Sequence, residues 1–401
     1  MDSEEDYDAA AESGIPEPPP SFAHAIEIEK YAPGQSGLKE LRDELESFEA
    51  KEEDIYTEQD CVTLTNSVNA QIQHVAVSIV NAFRGLITPS TSLSSNFGSN
   101  SSPTHQSESQ SDSLMSDGTP PEFRSIRTML GEPAYQFFLN PQNRHRVDSV
   151  RYLYLTRCAI QAILATLSEE IISVWSFNRE EHNILLGIYI SLRDQHDNPA
   201  LTSTWRSLTR THTKISQYYP LKPSAVLSFS SEISKVLLLS GLAAQWNIED
   251  TKEMVKDYFE RDLGELYDCC FRLDRVAHHG VAARDTGGSG SGNSEDEGEP
   301  EEMRAFDVVV YRPEPGEVYD KDMMDPIKSS SESSGMGMDA NGEGEEEKDF
   351  TEYISSTCGL GLLKIDTTAG SLKGTEEILL KPSVQLSSLF LSNIRNNVED
   401  G

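Results

Sequence analysis

The sequence predicts a mainly α protein: an antiparallel helical bundle with a small C-terminal β unit and long disordered acidic segments. Three observations lead there. Apolar residues recur at helical spacing through residues 122–280, while short β-branched runs bounded by Gly and Pro appear only after residue 305. The chain of 401 residues carries 33 Lys+Arg against 67 Asp+Glu, a formal charge of −34. That charge is uneven: residues 121–280 hold 19 acids and 18 bases, whereas residues 1–60 and 281–401 carry −15 and −16. The acidity belongs to two arms around a balanced block, and the low apolar share of 37% implies that part of the chain does not fold into a core.

Taken in order, residues 1–35 combine an acidic start with Pro16, Pro18, Pro19 and Pro20 and read as disordered. Residues 36–87 read as amphipathic helices packing on the core. Leu38, Leu41, Leu45 and Phe48 form one helical stripe, and Leu64, Val68, Ile72, Val75, Ile79, Phe83 and Leu86 form a second on a helix near 60–87. Self-association through 38–87 is the other use open to these stripes. Residues 88–121 are a Ser/Thr/Pro-rich linker.

Residues 122–280 read as an all-α domain with helices near 123–139, 145–175, 178–195, 199–217, 223–246 and 249–279. Asn178 with Glu181 three residues on marks an N-cap, and Pro199 suits a helix start. Pro220 and Pro223 mark a break, and Asp250 or Thr251 is placed to cap the last helix. Residues 281–302 form a Gly/Ser/acidic linker. Residues 303–390 form a small β unit, with strands at 306–311, 353–358, 360–365 and around Pro382, a disordered insertion at 329–349 and a tail at 391–401. About 60 ordered residues of β structure are marginal alone, so this unit is expected to pack on the helices.

Composition and motifs exclude several classes. A strongly acidic chain repels nucleic acid and anionic lipid. The apolar neighbourhoods near 158–177 and 236–246 are too short for a membrane span, and the acidic N-terminus has no signal-peptide pattern, so a cytoplasmic or nuclear location is expected. Five scattered cysteines without a CxxC read as free thiols. Phosphate-loop, HExxH and GxSxG patterns are absent, and no His has a Glu three residues before it, as a carboxylate-bridged di-iron bundle needs. Cys269-Cys270 with His278-His279 reads as structural, because adjacent cysteines diverge by about 100° on a helix. Asp194-Gln195-His196-Asp197 reads as an exposed polar turn. No catalytic residue, metal ligand or cofactor is assigned.

Two basic groups remain as a candidate surface for an acidic partner or for the chain's own arms: Arg144, Arg146, Arg151 and Arg157, and Arg206, Arg210 and Lys214. Thr88, Ser102 and Thr119 precede prolines, and Ser109 and Ser294 have an acid three residues on, so these five are candidate phosphorylation sites.

In the tail, Pro315-Gly316-Glu317-Val318-Tyr319-Asp320 with Met323, then Thr357-Cys358-Gly359-Leu360, then Leu379-Leu380-Lys381-Pro382-Ser383-Val384 is similar to the C-terminal β-domain of GrpE-type nucleotide exchange factors. Met323 and Met324 stand at the family's His-Glu-Ala run, and Lys381 replaces its arginine. The resemblance implies a homodimer that opens the nucleotide-binding domain of an Hsp70 chaperone. The residues themselves point to a non-enzymatic intracellular protein acting through protein–protein contacts in a regulatory or scaffold role, its partners unspecified. A GrpE-like co-chaperone and an enzyme with a site inside the helical domain are the alternatives.

Overall fold

The computed structural model describes residues 56–86, 120–195, 199–278, 281–282, 305–327, 351–366 and 376–390. The stripe at 38–48, residues 88–119 and 283–302 of the linkers, the insertion at 329–349, His196 and His279 and the five candidate phosphorylation sites lie outside them.

Helix α1 (Glu58–Leu86) opens with a reciprocal cap: Thr57 Oγ1 accepts from the Asp60 N–H at 3.2 Å, and Asp60 Oδ2 accepts from the Thr57 N–H at 2.7 Å. Its stripe of Val68, Ile72, Val75, Ile79 and Phe83 is buried in the main core. Helix α2 (Arg124–Leu139) is bent at Gly131, whose φ of 72° no side-chain-bearing residue adopts readily. Where the sequence suggests one helix over 145–175 there are two, α3 (Pro141–Arg146) and α4 (Ser149–Ser173). Asp148 divides them, its carboxylate accepting from the N–H groups of Val150 and Arg151 to start α4 afresh.

Asn178 caps α5 (Arg179–Gln195) as expected, accepting from Glu180 and Glu181. The break expected at Pro220 and Pro223 does not occur: α6 (Pro199–Leu239) runs 41 residues through both. Each proline removes one N–H but keeps a helical φ. The flanking turns are held to α7 (Ile248–His278), where Tyr218 stacks on Tyr267 at 5.5 Å and Lys222 pairs with Asp268 at 2.8 Å. The cap of α7 is Asn247 rather than Asp250 or Thr251: its Oδ1 accepts from the Asp250 N–H at 2.9 Å.

The C-terminal strands make two small sheets. One runs β1 (Val281–Ala282), β2 (Ala305–Tyr311), β5 (Gly361–Asp366), β6 (Glu376–Leu380), all antiparallel. The other runs β3 (Asp325–Pro326), β7 (Ser383–Leu386), β4 (Ile354–Gly359). The chain changes sheets at Leu360, whose N–H and C=O are both taken by the Asn69 side chain of α1 at 2.8 and 2.9 Å. Pro382 sits in the turn between β6 and β7, not in a strand, so β7 can be central in its sheet.

Strand β4 is buried along its whole length and packs on α2 and α4. A Cβ at Gly131 would stand 2.6 Å from the Ser355 carbonyl oxygen, so this glycine sets how closely strand and helix approach. Val308, Val310, Cys358, Leu360, Leu362 and Phe390 join the same apolar core as the helices. The molecule is mainly α with a small β unit fused to the bundle. No described helix is long and apolar enough to cross a membrane.

Candidate functional site

Arg206, Arg210 and Lys214 lie four residues apart, which puts them on one face of α6. The sequence expects that face to meet solvent. It faces inward instead: the three residues are 3%, 5% and 2% exposed. The reason is the end of α4. A helix leaves its last four carbonyls without intrahelical partners and concentrates negative potential there. Buried carbonyls of this kind need donors from elsewhere, and α6 supplies them. Lys214 Nζ donates to the carbonyls of Ile171 and Ile172 at 2.9 and 3.1 Å, and Arg210 donates to those of Ile172 and Val174 at 2.5 and 3.1 Å.

The charges are balanced by acids from two other elements. Asp274 of α7 meets both Arg210 and Lys214 at 2.8 Å. Asp307 of β2 meets Arg206 at 2.8 Å and accepts from the Tyr189 hydroxyl of α5 at 2.5 Å. Aromatic rings close the group: Trp175 lies 5.2 Å from Tyr189 and 5.5 Å from Trp205, with the Arg210 guanidinium 5.1 Å from its ring centre. Helices α4, α5, α6 and α7 and strand β2 therefore meet at one polar knot.

Protonation follows from this geometry. Burial pushes Lys214 down to about 7 and the Arg210 charge adds to that, while Asp274 opposes. Burial alone would raise Asp274, but Lys214, Arg210 and His278 together hold it well below the carboxylate range. Burial, then Arg210, lowers His278 to about 3, so its ring is neutral beside Asp274 at 3.2 Å. His182 is also lowered, by burial first and then by Arg210 and Lys214, and its Nδ1 accepts from the Trp175 N–H at 3.0 Å. A cavity of about 20 Å³ lies among Ser207, Arg210, Lys214, Phe271, Asp274 and His278. That is room for about one water. The cluster holds labile charge, but its cavity has no space for a substrate.

The other basic group stays apart from this site. Arg146 and Arg151 are exposed, Arg144 is half-buried and donates to the Gly241 carbonyl at 2.8 Å, and the half-buried Arg157 lies 4.8 Å over the Tyr154 ring. Asp274, Asp307, His278 and Tyr189 were not singled out by sequence. Asp307 carried a readable signal, a lone acid inside the apolar run Phe306–Tyr311. Asp274 carried none, since α7 holds many acids. Of the cysteine–histidine gathering, Cys270 is buried and His278 half-buried on α7, and no group able to hold a metal ion occurs among the described residues. Comparisons with family models, curated proteins and solved structures find no match for this chain.

Proposed function

We propose that the chain acts through protein–protein contacts, in a regulatory or scaffold role, with α5 at its binding face. The observation that carries this reading is the state of α5. Ile184, Leu185, Leu186, Ile188, Tyr189, Ile190 and Leu192 crowd into residues 184–192 of this helix, yet none of the side chains described on it is buried. Ile184 is 62% exposed, Ile188 is 42% exposed one turn on, and Gly187 between them opens onto free space. An apolar stripe left in water costs about 25 cal/mol per Å², and a partner that presents an apolar helical face recovers that cost.

The helix is nonetheless fixed in place by the Asn178 cap and the Tyr189–Asp307 hydrogen bond, so its outer face is presented ready-formed. The co-chaperone reading has only the tail's resemblance behind it, and β4, which carries part of that pattern, is buried against α2 and α4. An enzyme reading calls for a substrate-sized pocket, and the cavity at the cationic cluster takes one water.

The test is affinity purification with mass spectrometry using the wild-type chain and the double variant I184E/I188E. The expected result is a partner set recovered by the wild type and lost by the variant, with the variant's thermal unfolding unchanged. Recovery of the same set by both overturns the assignment of α5.

A further inference from the structure

All five cysteines of the chain are free thiols, but two of them are not isolated. Cys158 lies mid-way along α4 and Cys358 near the end of β4, two hundred residues later, and both are buried. The Cys358 thiol donates to the Cys158 carbonyl oxygen at 3.4 Å, which sets the two cysteines side by side in the same apolar core. The remaining three have no such thiol partner: Cys61 and Cys270 sit in apolar core, and Cys269 accepts from the Arg272 guanidinium at 3.1 Å.

We propose that Cys158 and Cys358 are a redox modification site, a dithiol that hydrogen peroxide converts to a disulfide stapling the β unit to the helical bundle. The groups around the two thiols favour Cys158 as the attacking one. The neighbouring Cys358 thiol comes first in lowering its pKa against burial, and Arg157 and Tyr154 act in the same direction. The neighbouring Cys158 and then burial raise Cys358, which stays protonated until it reacts. By contrast, burial raises Cys61 and Cys270 to about 12, leaving them as unreactive thiols.

The chemistry balances with peroxide as the sole oxidant. The Cys158 thiolate attacks one peroxide oxygen, the O–O bond breaks, and the departing hydroxide takes up the thiol's proton to leave as water. Cys158 is then a sulfenic acid. The Cys358 sulfur attacks the sulfenic sulfur, the S–O bond breaks, and the hydroxyl leaves with the Cys358 proton as a second water. Two thiols lose two electrons, and one peroxide gains them. An uncharged oxidant of that size suits a pair buried this deeply.

The covalent bond would cross the packing interface between α4 and β4, closing a loop that spans most of the folded domain. Oxidation therefore raises the unfolding temperature without altering the fold, and a thiol reductant reverses it.

The experiment uses the native full-length chain. It is treated with hydrogen peroxide, its remaining thiols are alkylated in denaturant, and it is digested without reductant for mass spectrometry. The expected result is a linked Cys158–Cys358 peptide pair, with Cys61, Cys269 and Cys270 alkylated, and a melting temperature that rises on oxidation and falls back with dithiothreitol. In Cys358→Ala, the Cys158 sulfenic acid persists and is trapped by dimedone. Should that variant fail to fold, the wild-type peptide map still decides. Alkylation of both Cys158 and Cys358 after peroxide treatment overturns the proposal, as does a linked pair that leaves the melting temperature unchanged.

Discussion

Arg206, Arg210 and Lys214 on α6 and Arg144, Arg146, Arg151 and Arg157 around α3 and α4 look alike in the sequence, as bases on one helical face with aromatic residues nearby. In the fold they are opposites. The first group is sealed among α4, α7 and β2 and paired with Asp274 and Asp307, while in the second group Arg146 and Arg151 stand in water. Spacing tells which residues share a face, but not which way the face turns. What turns α6 inward is the C-terminal end of α4, whose carbonyls require buried donors that long cationic side chains reach. A basic stripe can thus be a helix cap supplied from another helix.

The contrast makes removal of one buried partner the largest expected effect. Asp274→Ala leaves Arg210 and Lys214 without their shared counter-charge and is expected to cost about 3–5 kcal/mol in urea unfolding. A loss under about 1 kcal/mol would mean the cluster is wet and the two basic groups do not differ.

Lys214→Met comes next. It keeps the apolar stem but strips a donor from the Ile171 carbonyl, for an expected cost of about 1–3 kcal/mol at neutral pH. The same variant sharpens the comparison through pH. Lys214 releases its proton near 7 in the folded chain against an ordinary 10.5 when unfolded. Between about pH 7 and 10 the unfolded chain therefore binds one more proton at this site, and this site's contribution to stability rises with pH. Unfolding curves across that window should rise more steeply for the wild type than for Lys214→Met, and parallel curves would place the proton elsewhere.

The smallest effect belongs to the exposed group. Arg146→Ala with Arg151→Ala should shift stability by no more than about 0.5 kcal/mol, and a larger loss would show a tie that the fold does not contain.

Much of the fold was legible before any coordinate. The stripe on α1, the Asn178 cap, the end of α5 and the strands at 305–311, 354–359 and 361–366 follow from periodicity and local hydrogen bonding, which act over a few residues. The proline break expected in α6 does not form, because the rule for proline describes an isolated helix, and here Tyr267 and Asp268 of α7 hold the turns on either side. The cationic cluster was half legible. Its bases were picked out by spacing, but its acids come from residues 60 and more positions away, and nothing local in α7 distinguishes Asp274 from its exposed neighbours.

The sequence by itself determined the class of the molecule, a near-neutral helical block with a β unit between acidic segments, because composition and period are properties of short windows. Only the tertiary structure decided what those elements face. It turned three cations inward to cap α4, left the apolar face of α5 uncovered, and brought Cys158 against Cys358 across two hundred residues. Those outcomes depend on which surfaces pack against which. A buried charge or an uncovered stripe is fixed by the sum of contacts around it and not by its own few neighbours in the chain.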